Sequence, residues 1–189
     1  MSRYSILQEI AEARRSTRSY SDRPVTDDDI EKILAIAKTS PFASGRKRWD
    51  ILVVQDKETI QKIAEATRSW ITAHAEQVRE DFRDGFLQYT KNFTFFEQAP
   101  VLFIPVFRLS RSVSFMMEDP DNTIAEWERD AFTKSISAVA TLILLAAESL
   151  DIQTCYMTGP LIAEQDIIPL LKIQPGRSIG AVIPAGYER

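Results

Sequence analysis

The segment Ile136–Ala147 (ISAVATLILLAA) places the strongest constraint on this chain, because only Ser137 and Thr141 interrupt its apolar run. It forms the second half of a helix expected over about 124–150, and a helix apolar on nearly every side must be buried on most of them. It falls short of the roughly 18 residues that a membrane span requires. Two arrangements bury such a helix in a small protein. It can cross the middle of a sheet, or a second subunit can cover its outer side, and both can hold at once.

The rest of the chain supplies the sheet. Trp49–Gln55 (WDILVVQ), Pro100–Phe107 (PVLFIPVF), Ile152–Met157 and Ser178–Ala185 read as strands. Pro105 assigns the second of these to an edge or a bulge. Helical spacing recurs over about 4–14 through Ile6, Ile10 and Ala13, and again after Thr26, which caps a helix over about 27–38. Asp27, Asp28 and Asp29 suit the first turn of that helix, and Ile30, Ile33, Leu34 and Ala37 form its buried stripe. Residues about 57–90 read as one long or broken helical region ending near Gly85. A loop rich in Ser, Asp and Asn covers about 108–123, and a short helix over Ala163–Lys172 contains Pro169. Strands alternating with helices imply a layered α/β sandwich, and 189 residues imply one domain, 1–189.

Charge and residue counts exclude several functions. Lys plus Arg total 23 against 27 Asp plus Glu, and a pI near 5.2 argues against nucleic-acid binding. One Cys, Cys155, forms no internal disulfide, and with one His, His74, there is no Cys/His metal set. The first residues carry interspersed charges and no apolar core of a signal peptide, so a cytoplasmic protein without membrane association is expected. The six glycines form neither G-x-G-x-x-G nor a Gly-Lys pair, which removes the common nucleotide-cradling loops.

The densest polar cluster is Arg14-Arg15-Ser16-Thr17-Arg18. Guanidinium forks match phosphate oxygens and Ser adds a short donor, so the cluster can hold an anion. A solvated basic end complementing a helix C-terminus has the same pattern. Cys155 is read as a buried small hydrophobe or a redox thiol, and His74 as a surface residue on a charged helix. Tyr89, Phe93, Phe95 and Phe96 line a cleft or fill a core, and Met116 and Met117 suit an adaptable substrate lid or a disordered loop.

The segment ARRSTRSYSDRPVTDDDIEKILAIAKTSPFAS resembles the N-terminal signature of the FMN-dependent nitroreductase family. FFEQAPVLFIPV, AESLDIQTCYMTGP and IGAVIPAGY follow in matching order, so the resemblance spans nearly the whole chain. It implies an α+β, three-layer sandwich whose central mixed, largely antiparallel sheet is flanked by helices, within an intertwined homodimer. It also implies one FMN in each of two interfacial clefts, reduced by NAD(P)H and reoxidised by a nitroaromatic, quinone or similar acceptor in ping-pong fashion. By motif match, Arg14, Arg15 and Ser16 would hold the FMN phosphate and ribityl chain, and Arg18 the pyrimidine edge. Pro41 and Phe42 would shape the pocket, and Met157, Thr158 and Gly159 would pass beside N5 and O4. Some of these residues would serve the partner's flavin. No protein residue is expected to be catalytic, because the flavin carries the chemistry.

Relatives that dehalogenate aromatics or fragment flavin are the alternatives within the fold; a carrier or sensor that binds flavin without turnover is the alternative outside it. The chain departs from the family at Gly45-Arg46-Lys47-Arg48-Trp49, where three cations replace the usual amides. It also lacks the usual terminal basic pair. We therefore expect the cations of that loop to serve the FMN or nicotinamide phosphates, against the alternative of a solvated turn.

Overall fold

The computed structural model describes residues 2–43, 48–118 and 121–189. The central strand, β2 (Val101–Arg108), explains the layering. Its side chains alternate, and both sets are buried. Val101, Phe103 and Phe107 face one core, with Ile30, Ile33 and Ala37 of α2 (Asp27–Ala37) and Ile136, Val139 and Ile143 of α5 (Asn122–Glu148). Leu102, Ile104 and Val106 face the other, with Ile60, Ile63 and Ala64 of α3 (Lys57–His74) and Ile167 of α6 (Glu164–Leu170). Each of these fully buried Ile, Leu or Phe side chains contributes roughly 2 kcal/mol of transfer free energy. The result is three layers, α2/α5, sheet and α3/α6.

The sheet runs β1 (Trp49–Val54), β2, β5 (Ile183–Gly186), β3 (Gln153–Thr154), with β4 (Arg177–Ile179) also on β2, and every ladder is antiparallel. An isolated parallel bridge joins Ser16 to Thr154, which makes the sheet mixed but largely antiparallel. The edge expected from Pro105 is not found, because β2 is paired on both sides. The bulge is. Gly180, Ala181 and Val182 stand opposite Ile104 and Pro105, so the register slips by one residue between β4 and β5. Pro105 O accepts from Gly180 N at 2.7 Å. In a strand the N and O of one residue point to the same edge, so the missing N–H faces the interrupted ladder and spares the pairing with β1. A Cβ on Gly180 would lie 2.7 Å from Ile136, so α5 packs directly against the bulge. The last predicted strand is thus two short strands either side of that point.

Other boundaries also moved. Thr26 accepts from Asp29 N as the cap of α2, as expected. Gly85 does not end a helix; it lies inside α4 (Glu80–Thr90), with nothing within 4 Å of its Cβ position. The helical region breaks instead after His74, through a 3-10 turn at Ala75–Gln77 and an extended Val78. No Gly or Pro marks that break. α5 is long and apolar enough to cross a membrane by composition, yet here it packs on the sheet and α2. Thr141 is exposed and Ser137, Ala138, Leu142 and Leu145 are half-buried, leaving one stripe of the helix incompletely covered.

Candidate active site

Helix α1 (Arg3–Ala13) ends where Arg14 N donates to Ile10 O, and the chain leaves extended. The following segment is then laid along the sheet edge. Ser16 bridges Thr154, Thr17 N donates to Thr154 O at 3.1 Å, and Tyr20 bridges Glu188. The Tyr20 hydroxyl, fully buried, lies 2.8 Å from Thr17 O and 3.3 Å from Pro184 O. Thr17 and Tyr20 point inward, so Arg15, Ser16 and Arg18 are left exposed and Arg14 half-buried. The cluster is therefore displayed by a pinned strap rather than by a freely solvated helix end. Arg15 donates to the Glu12 and Arg14 carbonyls. None of the ion pairs among the described residues includes Arg14, Arg15 or Arg18.

Arg18 lies 5.9 Å above the Phe95 ring centroid and lines a cavity of about 420 Å³ with Tyr89, Asn92, Phe93, Cys155 and the turn Tyr156–Gly159. The structure thus brings Arg18 together with Met157, Thr158 and Gly159. Met157 pairs with Val182, N to O at 3.1 Å and O to N at 2.9 Å, which fixes the turn to the bulge. The N–H groups of Thr158 and Gly159 have no backbone carbonyl partner among the described residues and remain available as donors. Gly159 is required by close approach: a Cβ there would sit 2.5 Å from the Phe93 ring. Phe93 in turn stacks edge-on with Tyr89, centroids 5.3 Å apart. The aromatic run therefore divides, with Tyr89, Phe93 and Phe95 on the cavity and Phe96 fully buried in the core.

Cys155 forms part of the cavity wall but is buried. Burial pushes its thiol above the ordinary value despite Ser16, Arg18 and Arg14 nearby, so it is an un-ionised thiol, which favours the small-hydrophobe reading over the redox one. His74 is half-buried rather than freely exposed. Its ring stacks on Trp70 at 3.8 Å and Nδ1 meets Trp70 O at 2.8 Å. No metal-binding cluster occurs among the described residues.

Pro41 and Phe42 are not brought to this cavity. Pro41 is exposed, and Phe42 packs against Trp49 and Phe132, at 6.1 and 5.7 Å, in the α2/α5 layer. Arg46 and Lys47 lie outside the described residues. Arg48 is engaged locally, donating to Ser110 Oγ at 2.8 Å. Asn92 and Tyr156 were missed from sequence, although Tyr156 stands inside the quoted TCYMTGP segment. A larger hollow of about 540 Å³, lined by Tyr20, Gln55, Gln61, Glu97 and Pro100 among others, contains none of the residues expected from sequence to hold the cofactor. Its rim carries charge of both signs, Asp22 and Glu97 with Lys57 and Arg189.

The nitroreductase family model matches residues 11–187. The chain belongs to the nitroreductase family. An Archaeoglobus fulgidus protein named for NADH dehydrogenase or NAD(P)H nitroreductase activity is 49% identical over 53 residues, 28% of this chain and 30% of that protein. A second archaeal relative is likewise matched over only 34% of its length, so these two relatives are aligned over about a third of their sequences. The iodotyrosine dehalogenase 1 homolog of Caenorhabditis elegans is 29% identical across 96% of this chain and 54% of its own. Among solved structures, a BluB-like flavoprotein from Clostridium difficile superposes with a TM-score of 0.86 at 24% identity, covering 97% of this chain and 90% of that one. A Desulfitobacterium hafniense nitroreductase with bound FMN gives 0.74 at 16% identity, covering 97% and 89%. At these identities the superpositions establish the nitroreductase fold.

Proposed function

We propose that this nitroreductase-family protein is an FMN-dependent oxidoreductase that takes electrons from NAD(P)H and passes them, in ping-pong order, to nitroaromatic, quinone or similar electron-poor acceptors. The observation that carries the reading is the convergence of Arg18 with the Met157–Gly159 turn on one aromatic-walled cavity, beside a cation set without carboxylate partners. These residues fit a flavin mononucleotide. The cations suit a phosphate, two free N–H groups suit ring acceptors, and the aromatic wall suits a planar stack. Bound FMN would supply the hydride-accepting and hydride-donating centre. Arg14, Arg15 and Ser16 would hold the phosphate and ribityl chain. Arg18 would place positive charge at the pyrimidine edge, where the reduced ring accumulates negative charge. Thr158 and Gly159 would orient the reacting edge through their backbone N–H groups.

The active form in this reading is a homodimer. Pro41 and Phe42 are in the layer opposite the cavity, so one flavin meets both sets only if a second copy supplies them. The partly covered stripe of α5 and the exposed Tyr4, Ile6 and Leu7 of α1 offer the apolar surface such a dimer buries. Light scattering should then give twice 21.5 kDa. A stable monomer that binds FMN normally would refute the shared site.

The deciding experiment is the visible spectrum of the purified or FMN-reconstituted protein, followed by NAD(P)H oxidation with menadione or a nitrofuran. Protein that cannot be loaded with FMN sinks the reading, and protein that loads without turning over is a carrier. Similarity to the C. elegans dehalogenase homolog across 96% of this chain supports reductive dehalogenation as the second reading. Anaerobic release of iodide from an iodophenol by the reduced protein separates the two.

A further inference from the structure

A second set of arginines lies at the opposite end of β2 from the strap. Arg108 N donates to Arg48 O at 2.8 Å, which continues the β1–β2 register one residue beyond Trp49 and Phe107. On its other side Arg108 stands directly opposite Arg177 of β4. Opposed residues share a face of the sheet, so Arg48, Arg108 and Arg177 form a row across three adjacent strands. The face is that of Val106 and Ile179, and the row begins where the α3/α6 core ends. Like charges directly opposite one another are destabilising. No carboxylate offsets them, since none of the ion pairs among the described residues includes Arg48, Arg108 or Arg177. Asp50, one pair further along the same face, accepts instead from Ile51 N at 2.9 Å. The chain carries a net charge of -4, so this gathering of cations is local. The row is also held in place. Buried Ser110 Oγ accepts from Arg48 Nη1 at 2.8 Å and lies 2.7 Å from Ser112 Oγ. Arg108 is laid against the turn before β4, where a Cβ on Gly176 would meet its Nη2 at 3.6 Å and its Nε at 3.7 Å. Arg48 and Arg177 are half-buried and Arg108 is exposed, so the row opens to solvent at its centre.

We propose that Arg48, Arg108 and Arg177 form a binding site for a phosphate group, free or carried by a nucleotide. The site is separate from the strap and does not rest on the flavin reading. Ser16 lies level with Thr154, Ala185 and Val101, at the start of β2, and the row lies seven residues further along that strand, about 20 Å away. A carboxylate has two oxygens and one charge, which a single guanidinium fork satisfies. A phosphate has more oxygens and up to two charges, so it can engage neighbouring forks at once and remove the repulsion between them. Arg48 spends one of its five donors on Ser110, which fixes its orientation and leaves the others for the anion. A side chain already held in place loses less freedom when the ligand arrives.

The test is calorimetric titration with inorganic phosphate and with 2′,5′-ADP at fixed ionic strength. The Arg14→Ala, Arg15→Ala variant serves as the reference protein, so that the strap does not contribute. Phosphate should bind it in a one-to-one ratio. Adding Arg108→Gln and Arg177→Gln should weaken binding about tenfold or more, the size of one or more lost charge-assisted bonds. Arg108→Lys with Arg177→Lys, which keeps the charge and loses the fork, should retain part of the affinity. Without phosphate, the Gln variant should unfold in urea no earlier than the reference, because the repulsion is gone. Equal affinities for 2′,5′-ADP and phosphate make free phosphate the ligand, and tighter binding of 2′,5′-ADP makes it a nucleotide phosphate; either result supports the site. No phosphate binding by the reference, binding that survives the Gln substitutions, or a Gln variant that is less stable without phosphate would each overturn the proposal.

Discussion

Replacing Gly159 by Ala tests how tightly the cavity wall is built. The new Cβ would lie 2.5, 2.7 and 2.8 Å from three atoms of the Phe93 ring. Ordinary carbon contacts are about 3.5–4.0 Å, so the ring must retreat by about 1 Å. Behind it stands the Tyr89 ring, 5.3 Å away and edge-on. Tyr89 is 68% exposed, so the pair yields toward solvent rather than into the core. The backbone itself does not demand glycine here, since Gly159 is outside the left-handed region. The cost is therefore overpacking alone, about 1–2 kcal/mol at the lower end of the usual range. Urea melts of Gly159→Ala, Phe93→Ala and the double variant form a cycle that isolates it. With Phe93 truncated, the Gly159 substitution should be neutral or slightly stabilising. An equal cost in both backgrounds would show that the ring is not what excludes a side chain.

The remaining predictions concern single side chains. Arg18→Ala should lower the reduction potential of bound flavin and slow its reduction, measured by redox titration; an unchanged potential removes the proposed role of that charge. Tyr20→Phe removes the hydroxyl shared by Thr17 O and Pro184 O and should cost about 1 kcal/mol in a urea melt, with no loss refuting the bond. Glu128 is buried and accepts from Val113 N and Ser114 Oγ, both at 2.7 Å, so Glu128→Ala should speed amide exchange at Val113 and Ser114. Burial raises the Glu128 carboxyl, but the bonds from Ser114 and Val113, with Arg111 nearby, hold it below its ordinary value. Its stabilising effect is therefore complete above the ordinary carboxylate pKa and lost as pH falls through the lowered one. Acid melts should show the parent losing that advantage over Glu128→Gln; parallel curves would refute it.

What could be read from sequence follows from how local each signal is. Thr26 and its three aspartates specify a helix start from neighbouring residues, and the structure has it there. The β-branched runs of β1 and β2 announce strands through composition alone. Neither the bulge nor the central place of β2 is local, because both depend on which strand lies beside Pro105. The break after His74 has no Gly or Pro to mark it. The turn there is made by a 3-10 bond, Val78 N to Ala75 O, which any residue can form. At the site, the arginine run was legible as a cluster and its use was not, since cations on a pinned strap and on a solvated helix end have the same sequence. Asn92 was missed for the same reason, since elements distant in the chain bring Arg18 and the Tyr156–Gly159 turn to it.

The strap makes the site depend on contacts between distant parts of the chain. Arg14–Arg18 are displayed correctly only once Ser16 and Thr17 lie against Thr154 and Tyr20 against Glu188. Ser21 N then bonds Tyr187 O at 2.8 Å, and Arg23 sits 3.7 Å over the Tyr187 ring. These partners are separated by most of the chain, 164 residues for Tyr20 and Pro184 and 166 for Ser21 and Tyr187. Closing so long a loop carries an entropic cost that local helices do not. The β3–β5 edge therefore couples both ends of the chain to the cavity. Met157 and Val182 set the turn on one side of that edge, and Tyr20 and Glu188 set the strap on the other. The strap that carries Arg18 and the turn at Met157 are thus both paired to the C-terminal segment 182–188.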